Sequence, residues 1–216
     1  VIGKEAAIEK VQLETDEKEE ADYRAKTVFD SIPAKDKQTQ GIELKVLSKI
    51  FEENKLAQKM YNVQMGKLKI DYAANTLSAA KVELIYQAAN AKNKETVKNT
   101  MSQILSEVTS SQNSFYTVAK NKTQADAIEY VIGNQDSRTN LAKAVVSLKK
   151  NQTSALIEEK DGFYIAHCIQ TNSAALQQQY RNQLVSEKQT ESFQKIYKTW
   201  SDKFDVKVSK ALLAAN

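Results

Sequence analysis

The chain has 216 residues, 41% of them hydrophobic and 27% charged, which is enough apolar material for one good core or two smaller ones and excludes disorder throughout. Its 31 basic and 27 acidic residues are interspersed and leave a net charge of only +4, which excludes the concentrated basic face of a nucleic-acid binder. Five Gly and one Pro, where average usage would give roughly 15 and roughly 11, predict a mostly helical chain with few tight turns. The lone Cys168 excludes an intramolecular disulfide and any metal site of the repeated-Cys kind, and it reads as a small buried hydrophobe. No run approaches the roughly 18 apolar residues of a membrane-spanning helix.

Glu5–Val11 reads as the tail of a helix that begins upstream of Val1. The opening at Val1, without Met and without a visible signal peptide, suggests a processed or trimmed protein. Thr15 is the expected N-cap of the next helix. Asp16 and Glu17 put negative charge in its first turn, and Ala21, Ala25, Val28, Phe29 and Ile32 form one apolar stripe down to Pro33. Ala34–Gln40 reads as a polar linker. A second long helix, Ile42–Gln64, is expected to bury Val46, Leu47, Ile50, Phe51, Ala57, Met60 and Tyr61. A short linking helix is expected around Ile70–Ala80, before a strand over Lys81–Gln87 that is rich in β-branched and aromatic residues.

Helices over Lys94–Val108 and Ser114–Lys120 precede a second strand at Ala127–Ile132. A helix over Asn140–Leu148 then leads to Thr153–Ile157 and Gly162–Ile169, which pair as a closing hairpin. The order βααβαββ is that of an α+β unit with a small, mostly antiparallel sheet packed on helices. A long helix over Ala174–Phe204 follows, with Tyr180, Leu184, Phe193, Ile196, Tyr197, Trp200 and Phe204 on its apolar side.

This order resembles a parvulin-type prolyl isomerase domain. Phe115 and Ala119 match its second helix; Leu141, Ala144, Val146 and Leu148 its third; and Ser154, Ile157 and Gly162 its closing hairpin. The family's turn glycine is replaced by Asn151–Gln152, and Asn is the next best residue where positive φ is needed. The flanking helices are similar to those of SurA/PrsA-like foldases, in which both ends of the chain form one chaperone lobe around the inserted parvulin unit. Glu191–Tyr197 looks like the C-terminal signature of the Gram-positive secreted or lipoprotein type. The resemblance implies a helical lobe from residues 1–78 and 172–216 and a parvulin-like domain over residues 79–171.

Amide rotation has a barrier of about 18–20 kcal/mol, and lowering it means binding the twisted amide better than the planar one. Parvulins use an apolar prolyl pocket and paired histidines. At the family's histidine positions this chain has Leu84 in the first strand and Tyr164 in the last, Leu141 stands for the aromatic floor, and Asn121–Asp126 replaces the glycine loop. These departures leave no catalytic residue assigned, with Tyr164 and Leu84 at the family's histidine positions, and Leu141, Val146, Ser154 and Tyr164 are the expected substrate-binding set. If activity exists, the Tyr164 hydroxyl would stand in for the lost imidazole. His167, the only histidine, falls by strand parity on the opposite face from Tyr164, Ala166 and Cys168, which argues for a structural or solvent-facing role and against a Cys–His nucleophilic pair. Phosphate-binding glycine loops, nucleophile elbows and His-Glu-x-x-His helices are absent from the sequence.

The reading that follows from the resemblance is an extracytoplasmic folding factor, secreted or anchored through an upstream lipobox on the outer face of a Gram-positive bacterium. It would hold extended, unfolded client polypeptides through a catalytically degenerate isomerase domain. It needs no cofactor, metal or nucleic acid. Two alternatives stay open: an active isomerase with a non-standard site, and a homodimeric interaction or scaffold module whose parvulin unit is inert.

Overall fold

The computed structural model describes residues 1–73, 76–110 and 114–204. Two compact units divide the chain, one from Val1–Ile70 and Glu187–Asn216, the other from Asp71–Ser186.

The first unit is helical: α1 (Ile2–Ile8), α2 (Thr15–Ser31), α3 (Ala34–Gln40), α4 (Leu44–Gly66) and the later turns of α8 (Ala174–Asp202). α1 ends in a Schellman-type closure, with Val11 N–H donating to Ala6 O at 2.8 Å and Lys10 N–H to Ala7 O at 3.3 Å. Lys10 therefore takes φ 56°, a left-handed conformation that suits glycine better. The cap of α2 is Glu14 and not Thr15, which is the first helical residue. Glu14 and Glu17 form a reciprocal capping box, an arrangement that a longer acidic side chain can also make.

Ala21 and Ala25, one turn apart on α2, are buried, and small side chains there let α4 come close. Lys59 reaches Glu17 at 2.5 Å and Lys55 pairs with Glu20, so the two helices are also laced by charge. Val28 lies exposed, and on α4 so do Val46 and Ile50, while the buried face of α4 runs through Met60, Gln64 and Met65. The expected linker over residues 34–40 is the helix α3. A Pro start and a left-handed Gly41 close define it without any apolar period, which is why the composition read as a loop. Ala6, Met60 and Trp200 form the core of the unit, with Phe193 edge-on to Tyr61 at 4.9 Å. Tyr197, expected on the apolar side of α8, is exposed.

The second unit carries a four-stranded sheet in the order β2-β1-β4-β3, antiparallel throughout, from β1 (Ala79–Ala88), β2 (Glu129–Gly133), β3 (Ile157–Glu159) and β4 (Gly162–Gln170). Its helices are α5 (Lys94–Ser110), α6 (Phe115–Lys122), α7 (Thr139–Ser147) and the first turns of α8. Alternation along the strands divides two cores. Val82, Leu84, Tyr164, Ala166 and Cys168 pack with Leu141 and Val145 of α7 and with Leu148 just beyond it, whereas Ile85, Phe163 and Ile165 pack with Met101 and Ile104 of α5 and Phe115, Val118 and Ala119 of α6. The mixed α+β architecture expected from the sequence is present in this unit.

Two local differences stand out. Of the short helix expected around residues 70–80, the described residues show a 3₁₀ turn at Thr76, whose N–H donates to Ala73 O at 3.0 Å; residues 74 and 75 lie outside the description, and β1 already begins at Ala79. The strand expected over Thr153–Ile157 is reduced to an isolated bridge at Thr153↔His167, with β3 starting only at Ile157. Ser154 explains the interruption, because its hydroxyl donates to Ala155 O at 2.8 Å and accepts from Ala166 N–H at 3.0 Å. Asn151 takes φ 65° at the preceding turn, the conformation anticipated for the missing glycine.

Candidate functional site

The face of the sheet under α7 brings the expected site residues together. Leu84 on β1 and Tyr164 on β4 lie 1% and 3% exposed, and Leu141, on the first turn of α7, is fully buried between them. Val146 points elsewhere. On α7 the buried stripe is Leu141, Ala142 and Val145, so Val146 falls on the outer face and is 37% exposed. Ser154 is buried, but its hydroxyl is taken by the main chain as described.

Four residues that the sequence reading did not single out complete the cluster. Tyr86, two residues beyond Leu84 and therefore on the same face of β1, is the cross-strand partner of Tyr164, and their rings stack with centroids 4.6 Å apart at 26°. The Tyr164 hydroxyl donates to Asp161 Oδ2 at 2.5 Å, and the Tyr86 hydroxyl donates to the Asp161 carbonyl at 3.0 Å. Arg138 lies over the Tyr164 ring at 5.6 Å. Asp136 fixes its guanidinium through Nε at 2.9 Å and a terminal nitrogen at 2.7 Å. The signal for Tyr86 was strand parity from Leu84; Asp136, Arg138 and Asp161 stand in turns, where no period marks them.

Electrostatics follow from this packing. Burial, then the hydrogen bond to Asp161, raise the Tyr164 phenol well above the ordinary tyrosine range, and Tyr86 is raised chiefly by burial. Both phenols are neutral at physiological pH, so they can donate and accept hydrogen bonds but supply no charge. Asp136 holds the Arg138 guanidinium firmly protonated. Burial also raises the Cys168 thiol, which makes it a poor nucleophile.

The segment standing where the family has its glycine loop is bound to the edge of β1. Tyr86 N–H donates to Thr123 Oγ1 at 3.0 Å, Gln124 N–H to Tyr86 O at 2.8 Å, and Ala88 N–H to Gln124 Oε1 at 2.8 Å. Glu159 of β3 caps α7 from outside, accepting from the N–H groups of Asn140 at 2.6 Å and Leu141 at 2.9 Å. Loop and helix are thereby held against the sheet.

His167 lies on the other face. It stacks on Phe115 at 5.3 Å and its Nδ1 is 2.9 Å from the Thr153 hydroxyl. Burial lowers its pKa. Among the described residues no group of three or more His, Cys, Asp and Glu can hold a metal ion, and no helix is long and apolar enough to cross a membrane.

A four-stranded antiparallel sheet, with α7 on one face and α5 and α6 on the other, thus frames a cluster centred on the last strand. Residues 82–170 match the family described as "Rotamase: PPIC-type PPIASE domain". Among solved structures, a PpiC-type isomerase domain is 21% identical and covers 47% of this chain and 98% of its own, with a TM-score of 0.42. The foldase PrsA from Streptococcus pneumoniae is 14% identical over 96% of this chain and 82% of its own, with a TM-score of 0.40. PrsA from Bacillus anthracis is 14% identical over 93% and 94%, with a TM-score of 0.46. No curated protein matches the sequence.

Proposed function

We propose that this protein is an extracytoplasmic foldase that holds extended client polypeptides, with a PPIC-type domain over residues 79–171 that has lost prolyl isomerase catalysis and a helical lobe from residues 1–78 and 172–216. The observation that carries this reading is the burial of Leu84, Leu141 and Tyr164, whose side chains sit at the family's functional positions and are sealed from solvent. Neither histidine position carries a group that titrates near neutral pH, so the hydrogen-bond field that would favour a twisted amide is missing.

Holding needs no catalytic residue, only a sheltered apolar surface with polar margins. The helical unit offers an open groove of about 530 Å³ whose floor includes Ala6, Val11, Leu13 and Leu56 and whose margin carries Lys10 and Glu53. An extended segment with alternating apolar side chains suits such a groove. The setting proposed with this reading is the outer face of a Gram-positive bacterium, with the protein secreted or anchored.

Suppression of aggregation of a chemically reduced client is the direct test. The reading predicts less light scattering as the protein is raised to several-fold molar excess; unchanged scattering across that range removes it. Leu56→Glu, placed in the groove, should weaken the effect while leaving the far-ultraviolet dichroism unaltered.

A further inference from the structure

Tyr164 is built differently from the residues around it. In the cluster under α7 it packs among Leu84, Leu141, Val145 and Ile157, with the half-buried Tyr86 and Tyr130 against the cluster, and Tyr164 is its one buried member, at 3% exposure, with a ring and a hydroxyl. Its apolar body sits inside the cluster, while its polar tip ends on Asp161, an exposed residue of the β3–β4 turn. Three fixed partners hold the ring: Tyr86 stacked on it, Arg138 over it, and Asp161 at its tip. Arg138 is itself immobilised by Asp136, and Tyr86 is tied by its hydroxyl to the same turn.

From this geometry we propose that the Tyr164 ring is a stopper. It occupies a ring-sized, largely apolar chamber bounded by Leu84, Leu141, Val145 and Ile157, faced by Tyr86 and covered by Arg138, and it is latched at the rim by Asp161. In the resting protein the chamber is closed from within, and a ring from outside enters only in place of Tyr164. The inference rests on reading this domain as one whose own catalytic function has lapsed, and it gives that lapse a physical cause beyond the loss of histidines. An aliphatic residue at position 164 would have left a chamber; the tyrosine fills it and closes its mouth with a hydrogen bond.

The stopper predicts chemical complementation. A large-to-small change inside a close-packed cluster leaves a cavity that the surroundings fill only in part, and an apolar cavity of this kind binds a small aromatic ring. p-Cresol is the side chain of tyrosine itself. Adding it to full-length Tyr164→Ala should raise the thermal midpoint by an amount that grows with p-cresol concentration, as binding to the native state alone requires. The same additions should leave the wild type and Tyr164→Phe unmoved, since both keep the ring in place.

Should Tyr164→Ala fail to fold alone, recovery of dispersed amide resonances on adding p-cresol supports the stopper equally, and Tyr164→Val carries the same titration with a smaller cavity. Absence of any p-cresol response in either variant overturns the proposal, because it would mean that the cluster collapses and Tyr164 is ordinary core. Wild-type amide shifts at Leu84 and Leu141 on adding a proline-containing peptide, as large as those in Tyr164→Ala, overturn it as well, by showing the chamber already open. Client holding is measured separately on the wild type, so the foldase reading and the stopper can fail independently.

Discussion

Gly133, the last residue of β2, lies directly against the ring of Tyr180 on α8. A Cβ there would collide with that ring and would stand 2.5 Å from the Ser78 carbonyl oxygen. The tyrosine hydroxyl meanwhile accepts a hydrogen bond from Gln135 N–H at 3.1 Å. Glycine is required for this close approach, and the approach joins the first turns of α8 to the end of the sheet. Gly133→Ala should therefore destabilise the sheet unit by about 1–3 kcal/mol, the usual cost of overpacking a fitted interior. Hydrogen exchange of β1 and β2 amides would register the change, while Trp200, which lies in the helical unit, should report little of it.

Lys10 presents the opposite case, a side chain where none is wanted. It holds the left-handed position after α1 at φ 56°, and replacing it by glycine removes the Cβ penalty. Lys10→Gly is expected to stabilise the helical unit by about 0.5–1 kcal/mol. Urea unfolding followed by Trp200 fluorescence would read this directly, and a lower midpoint would contradict it.

Glu159 caps α7 across space, taking the N–H groups of Asn140 and Leu141 that no residue within the helix satisfies. Glu159→Ala should cost about 0.5–2 kcal/mol, the range for losing a helix cap. Amide exchange at Asn140 and Leu141 should accelerate more than exchange at the centre of β4.

Two half-buried titratable groups on the α5–α6 face of the sheet have pKa values shifted in opposite directions. His167 has its pKa lowered from its ordinary 6.5 by burial. The unfolded chain therefore binds the proton first, and the stability tied to the neutral ring is full above 6.5 and drains as pH falls below it. Replacing His167 by Gln should flatten the loss of urea midpoint between about pH 7 and about pH 5. Glu83, opposite His167 in register, is raised from its ordinary 4.5 by burial and then by Glu129. Here the folded chain holds the proton more tightly, so the favourable contribution is full below 4.5 and is lost as pH rises through the folded value. Glu83→Gln should be more stable than the wild type at neutral pH, with the difference fading in acid.

The order of elements and the two faces of β4 were legible because strand parity and helical period act residue by residue, and tertiary contacts only reinforced them. The same logic placed Tyr164 opposite His167, and local turn chemistry gave Asn151 its positive φ. What the pattern could not show lies where structure is made without a period. α3 has no apolar stripe, and its boundaries are set by Pro33 and Gly41. Val46 and Ile50 match a helical stripe, yet the buried side of α4 turns elsewhere, because a stripe records a possible face and not the neighbour that covers it. Around Tyr164, the latch at Asp161 and the cation at Arg138 come from turns that meet only once the sheet has formed.

The proposal that the sheet unit is closed to prolyl isomerase catalysis at Tyr164 is tested most directly by a prolyl isomerisation assay on a proline-containing tetrapeptide. Wild-type protein should give the uncatalysed rate at every concentration. An acceleration that scales with wild-type protein and disappears in Tyr164→Ala would contradict it, since the tyrosine would then be the working residue of an open site.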